Sequence, residues 1–380
     1  MPAIPLRSNY VKYLLVLLHV FSSGSKKARK IFNTFPEYTN LVQQNDKTLQ
    51  EFGLTSEQIR RLRMPPLAEI ELEMEWAEQN NQWIVTFFDS EYPDLLREIH
   101  RPPMLLFVRG NKQNLSAAQL AIVGSRNPTP QGSENAYMLA KDLVAAGFKI
   151  TSGMALGVDA AAHRGALSAP EPGSTIAVMG AGLNHIYPWR HKKLAQDIVA
   201  SGGTLVSEFP LDVAPLAENF PQRNRIISGI SLGTIVVEAT LRSGSLITAY
   251  LAADQGRDVF ALPGSIHNSL ARGCHELIRQ GAKLVETAQD ILVELPIVKT
   301  KDHHAKIVNN SSDNCVTNLS VDYRKILQAI DYTPTSIDVI AARSSLTISE
   351  IMSMLLHLEL HGHVQRVTGG YVLKANMNVE

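Results

Sequence analysis

The residues that could do chemistry on an anion recur at one kind of position, the turn that follows an apolar run. Six such turns read Gly124-Ser125-Arg126, Ser152-Gly153, Gly180-Ala181-Gly182, Ser207-Glu208, Arg242-Ser243-Gly244-Ser245 and Pro263-Gly264-Ser265. Glycine lets a ligand approach the backbone closely, and a helix opening after the turn offers unpaired N–H groups to a negative charge. A single serine there can be only a helix cap. Six turns of this make describe an anion-binding edge. Arg126, Arg190, Arg223, Arg242 and Arg272 lie in or just beyond the turns, and Tyr187, Trp189 and Phe220 share them. Arginines hold phosphates while bases stack on aromatic rings, which is how single strands are bound. In NFPQRNRIISGIS, helical spacing puts Arg223 on one stripe with Ile226, Ile227 and Ile230, with Arg225 elsewhere. Arg223 therefore has two readings: it reaches over the sheet edge toward a ligand, or it pairs with a structural carboxylate such as Glu208 or Glu238.

Other chemistries lack their residues. There is no G-x-x-x-x-G-K-[ST] and no Gly-Lys dipeptide, so a phosphate-loop motor is excluded. Gly180-Ala181-Gly182 lacks the third glycine of a dinucleotide fingerprint. Gly229–Gly233 matches G-x-S-x-G but lies between a helix and the following strand, whereas a nucleophile elbow lies between a strand and the following helix. His163, His185, His191, His267 and His275 show no H-E-x-x-H or carboxylate–histidine cluster. His163 and His275 fall at helix starts, where capping and packing are the default. Asp159 either orients a loop or acts as a base. The two cysteines, Cys274 and Cys315, form no C-x-x-C, so neither a zinc site nor a disulfide framework is expected, and that usage suits a reducing cytoplasm. No metal and no cofactor are expected.

The turns need elements to hold them. At 380 residues the chain should form two or three domains, and with Lys+Arg and Asp+Glu at 36 each, net charge selects no partner class. Apolar residues make up 45% and charged residues 19%, the balance of a soluble globular protein. Tyr10–Phe21 superficially resembles a secretory signal, but it is short for a bilayer span and interrupted by Lys12 and His19. It reads as an amphipathic helix, the first of a small all-α domain over 1–80. From Trp83, nine short apolar runs follow: WIVTFFD, MLLFVRG, LAIVGS, FKITSG, TIAVMG, TLVSEF, TIVVEA, DVFALPG and AKLVET. Most are separated by helical stretches, such as the one with Ala136, Leu139, Ala140, Leu143 and Val144 at helical period. Strands buried on both faces with helices between them predict an α/β fold, a doubly wound and mainly parallel sheet over 81–296. A polar linker follows over 297–320. Residues 321–380 read as three helices and a Gly-Gly hairpin, the winged-helix pattern.

These residues, in this order, resemble the bacterial DNA-processing proteins of the DprA (Smf) family. The resemblance rests on VGSRNPTPQG, TSGMALGVDAAAHRGAL, TIAVMGAGLNHIYPWRH, VSEFP, ENFPQRNRIISGIS, VVEATLRSGSLITA and VFALPGSIHNSLARGCHELIRQGAKLV, which span the core nearly without gaps. It implies a Rossmann-like core, a sterile-alpha-motif-like N-terminal domain and a C-terminal winged helix. It also implies a cytoplasmic homodimer that is a binding protein rather than an enzyme and has no membrane partner. Members bind incoming single-stranded DNA in natural transformation, protect it, and load the RecA recombinase onto it. The family's phosphate pocket is built around the G-S-R turn, here Gly124, Ser125 and Arg126. By extension it includes Ser152, Gly153, Arg190, Phe220, Arg223, Asn224, Ser243, Gly244, Ser245, Gly264 and Ser265. Two positions depart from the family: Gln131, where tyrosine is frequent, and Asn184, where aspartate is common. Two other functions compete. An enzyme acting on a nucleotide phosphate would need a carboxylate such as Glu238 or Asp159 over the site. A winged-helix regulator would need a basic recognition helix, yet TISEIMSMLLHLELHG carries Glu350 and Glu359 and no Lys or Arg.

Overall fold

A computed structural model describes residues 7–21, 24–295, 321–331 and 334–373, which form two compact units. In the larger unit the nine apolar runs become nine strands of one sheet. They are β1 (Gln82–Thr86), β2 (Leu105–Gly110), β3 (Gln119–Val123), β4 (Lys149–Ser152), β5 (Thr175–Val178), β6 (Thr204–Ser207), β7 (Gly233–Val236), β8 (Asp258–Ala261) and β9 (Lys283–Leu284). Their order is β1-β2-β6-β5-β4-β3-β7-β8-β9. From β6 to β9 every neighbouring pair is parallel. β3, β5, β6 and β7 are buried along their whole length because helices cover both faces.

One edge is not parallel. β2 pairs antiparallel with β6, and β1 with β2. A parallel pair needs a crossover, and the connection from β1 to β2 carries only the five-residue helix Asp94–Glu98.

The helices of the first eighty residues share a hydrophobic core with one face of this sheet; Leu14, Leu17 and Ile70 belong to the same cluster as Phe107 and Leu205. The helix Arg7–Val20 is not amphipathic as expected. Val11, Tyr13 through Leu17 and Val20 are all buried, because the other helices and the sheet surround it. Its polar interruptions find partners on the helix Leu67–Ala77: Lys12 lies 3.4 Å from Glu71 and His19 3.0 Å from Glu73. Among the described residues no single helix is long and apolar enough to cross a membrane.

The smaller unit holds the helices Val321–Ala329, Ile337–Ser344 and Ile348–Leu360 and the hairpin of β10 (Val364–Val367) and β11 (Gly370–Leu373). They close on their own core, with Ile326, Ile340, Ile351, Leu355 and Tyr371 at its centre. This is the winged-helix order read from the sequence. The linker assigned to 297–320 lies outside the described residues.

Candidate nucleic-acid interface

After β3 the chain adds β4, β5 and β6 on one side, then returns to add β7, β8 and β9 on the other. The reversal leaves a crevice between β3 and β7 at the carboxyl ends of the strands, where ligands of open α/β sheets bind. A cavity of about 620 Å³ occupies it. Gly124, Ser125, Arg126, Phe220, Arg223, Asn224, Ser243, Gly244 and Ser245 line it, so nine of the predicted site residues meet in one place.

Its floor is a buried polar clamp. Arg223 sits at the start of the helix Asn219–Gly229 and is only 4% exposed. Its Nη1 donates to the carbonyl of Gly153 at 2.7 Å and to that of Val178. Asp159 accepts from the backbone N–H groups of Gly153 at 3.1 Å and Ala155 at 3.2 Å. Gly153 lies between the two: a Cβ there would come within 2.6 Å of Arg223 Nη2 and 2.8 Å of Asp159 Oδ2. Burial pulls the Arg223 guanidinium down to about 10, with Asp159 raising it and Arg126 lowering it further. Burial pushes the Asp159 carboxyl up, opposed first by Arg223 and then by the N–H bonds. The floor thus holds a guanidinium and a carboxyl fixed side by side. Asp159 orients the loop, the first of its two readings.

Above the floor stands Phe220, with Arg126 Cζ 5.8 Å and Arg223 Cζ 6.0 Å from its ring centroid and the Tyr187 ring 5.5 Å away. Gly180 seats this ring, since a Cβ there would lie 2.8 Å from Phe220 Cδ1. Arg126 is exposed and has no ion-pair partner among the described residues. Ser125 Oγ accepts from Asn127 N at 3.1 Å, which tightens the turn that presents Arg126. On the far wall Ser243 caps the helix Gly244–Asp254, its Oγ accepting from Ser245 N at 3.3 Å. Around Gly244 there is open space, and its carbonyl accepts from Asn224 Nδ2 at 3.4 Å. Two helix N-termini therefore face one cavity.

The other expected residues lie elsewhere. Ser152 and Gly153 do not line the cavity: Ser152 is fully buried, its Oγ donating to Ile122 O at 2.6 Å, and Gly153 braces the floor. Gly264 and Ser265 are exposed outside the cavity, beyond β8, one strand removed from the crevice, and Gly264 O lies 3.0 Å from His275 Nε2. Arg190 is exposed outside it too, with Cζ 5.9 Å from its neighbour Trp189. Glu208 pairs with Arg225, not Arg223. The cavity also takes in Thr240, Pro215 and Ala217, which sequence reasoning missed. Thr240 follows the β7 run and a longer reading of that turn would have found it; Pro215 and Ala217 carry no signal. Among the described residues no group of His, Cys, Asp and Glu is placed to hold a metal ion.

Comparison with known proteins assigns the family. The profile of the DNA recombination-mediator protein A family matches residues 83–296, and that of the DprA winged helix domain matches 316–370. Protein Smf of Escherichia coli K12 is 43% identical over 328 residues, which covers 85% of this chain and 86% of that protein. DNA processing protein DprA of Streptococcus pneumoniae R6 is 46% identical over 209 residues, 55% of this chain and 73% of that one. The solved structure of DprA from Streptococcus pneumoniae superposes with a TM-score of 0.65 at 35% identity, covering 75% of this chain and 98% of that one. By its sheet, its winged helix and these matches, the chain belongs to the DNA recombination-mediator protein A family.

Proposed function

We propose that this protein binds single-stranded DNA in the crevice at the carboxyl edge of its sheet, protects the incoming strand in natural transformation, and passes it to the RecA recombinase. It does this as a cytoplasmic homodimer and as a binding protein rather than an enzyme. One observation carries the reading: Arg126 is exposed, has no ion-pair partner among the described residues, and stands over Phe220 at a cavity faced by two helix N-termini. A cation beside an aromatic face suits a phosphate followed by a base. The family name and the relatives named as DNA processing proteins support the same substrate class. Asp159 also lines the cavity, but its Oδ2 accepts from two backbone N–H groups, which suits a scaffold better than a general base.

The test is oligonucleotide binding by anisotropy at several salt concentrations. Affinity is expected to be largely independent of sequence, with a log–log salt slope of roughly −0.7 per phosphate neutralised. Arg126→Ala is expected to weaken binding by about ten- to a hundredfold, the worth of a hydrogen bond to a charged group, at about 1.5–3 kcal/mol. Its melting temperature should match the wild type, because the side chain is exposed. Equal affinity in both proteins overturns the assignment. Base release from nucleoside monophosphates, lost in Glu238→Gln, would replace it with a hydrolase.

A further inference from the structure

The larger unit has a second cavity, of about 390 Å³, that the site above does not use. The helix Lys26–Thr34 walls one side along its whole length, from Lys26 to Asn33 and Thr34, and His100, Arg101 and Pro102, just ahead of β2, wall the other. Lys26, Arg29, Lys30 and Arg101 line it, and no carboxylate does. In a chain whose acidic and basic residues balance at 36 each, four cations without an acid are not an ordinary mixed surface. None of the four has an ion-pair partner among the described residues.

Two of them are held in place. Arg29 Nη2 donates to Pro102 O at 3.3 Å, and its guanidinium lies 4.5 Å from the centre of the Phe87 ring. Arg101 Nε donates to Gly24 O at 3.2 Å. Lys26 and Lys30 are exposed, Lys30 with its Nζ 5.2 Å from the centre of the Phe52 ring, a contact it would leave to reach a ligand in the cavity. Ser25 caps the nine-residue helix, its Oγ accepting from Ala28 N, which fixes the end that carries Lys26 and Arg29. Like charges held together without a counter-ion raise the local potential and concentrate anions.

One side chain connects the surroundings of the two cavities. Gly24, in the wall of the second, packs on Arg225: a Cβ there would sit 2.8 Å from Arg225 Nη2. Arg225 belongs to the helix Asn219–Gly229, whose Phe220, Arg223 and Asn224 line the first cavity. We propose that the second cavity is a phosphate-binding site, and that the strand held in the first supplies the phosphate. The source rests on the DNA-binding reading; the phosphate chemistry does not, and free phosphate presents the same group.

The test uses the full chain and a Lys26→Ala/Lys30→Ala variant, both positions being exposed. Oligothymidylates run from a length that fills only the first groove to several times that length, and inorganic phosphate is titrated separately by phosphorus NMR. The expected result is a loss of several-fold in affinity for long strands only, with a salt slope shallower by about 0.7 per contact removed. Unchanged strand binding with loss of phosphate binding would assign the site to free phosphate. If neither changes, the site is overturned. Should the wild type bind no oligonucleotide, the DNA reading fails, while the phosphate titration still decides this cavity.

Discussion

His163 is a buried histidine whose neighbours fix its protonation. In the helix Val158–Ser168 its Nδ1 lies 2.7 Å from Thr175 Oγ1, and that hydroxyl donates onward to Ile150 O at 2.7 Å. The hydroxyl proton is thus spent, so Nδ1 must carry the hydrogen and Nε2 must be bare. Nε2 is buried with no hydrogen-bond partner. Burial, with the positive surroundings of His191, Arg223 and Arg164, pushes the imidazole down from 6.5 to about 3. The unfolded chain takes up a proton near 6.5 that the folded chain refuses until about 3. Stability from this residue is therefore full above that upper value and lost as pH falls, at up to about 1.4 kcal/mol per pH unit. Denaturant unfolding across this window should show a flatter acid limb for His163→Gln than for the wild type; parallel limbs would assign the titration elsewhere. Its place at a helix start made packing the default reading of His163, and it packs. Helical spacing separated Arg223 from Arg225 but did not say which carboxylate each would meet. Two positions on a helix separate them by more than half a turn, but which carboxylate meets which face depends on strands far away in sequence. Glu208 follows β6 and meets Arg225, while Asp159 opens a helix and lies beside Arg223.

The turns show why a glycine pattern is only half legible. Glycine after a strand marks either a ligand approach or a place where another element comes too close for a side chain, and the sequence looks the same. Gly157 is of the second kind. Its φ is +79°, and a Cβ there would lie 2.4 Å from Ser125 O, the carbonyl that accepts from Val158 N at 3.1 Å. The start of the helix Val158–Ser168 thus clasps the turn that carries Arg126. Gly157→Ala combines a left-handed backbone with a clash against a carbonyl, so it should cost roughly 1–3 kcal/mol and weaken oligonucleotide binding together. Gly244 is under no such constraint, with nothing within 4 Å of a Cβ. Gly244→Ala should hold or slightly raise stability, because alanine suits a helix better, while its methyl obstructs approach to the helix N-terminus. Melting temperature and affinity, measured on both variants, should therefore fall together for Gly157→Ala and separate for Gly244→Ala.

Across the whole molecule, the periodicities were the most legible feature. All nine apolar runs from WIVTFFD to AKLVET carry strands, eight of four to six residues and β9 of two, since so short a run between turns has no length for a helix. The antiparallel pairing of β1 and β2 was not legible, because pairing direction depends on the route of a connection rather than on composition. Nor was the burial of the helix Arg7–Val20, where Lys12 and His19 suggested a wet face and instead meet Glu71 and Glu73. The grouping of side chains into cores bears on how the molecule unfolds. The clusters around the sheet contain residues from Val11 to Leu295, whereas that of the winged helix contains only residues from Ile326 to Leu373. A unit as small as the latter buries a smaller fraction of its surface and is marginally stable by itself. Calorimetry of the full chain should then show a small transition below the main one. Ending the chain at Leu295 should remove the small transition and leave the main one in place, together with binding of oligonucleotides that fill only the first groove. A single transition in the full chain, shifted as a whole by the truncation, would mean that the two cores unfold as one.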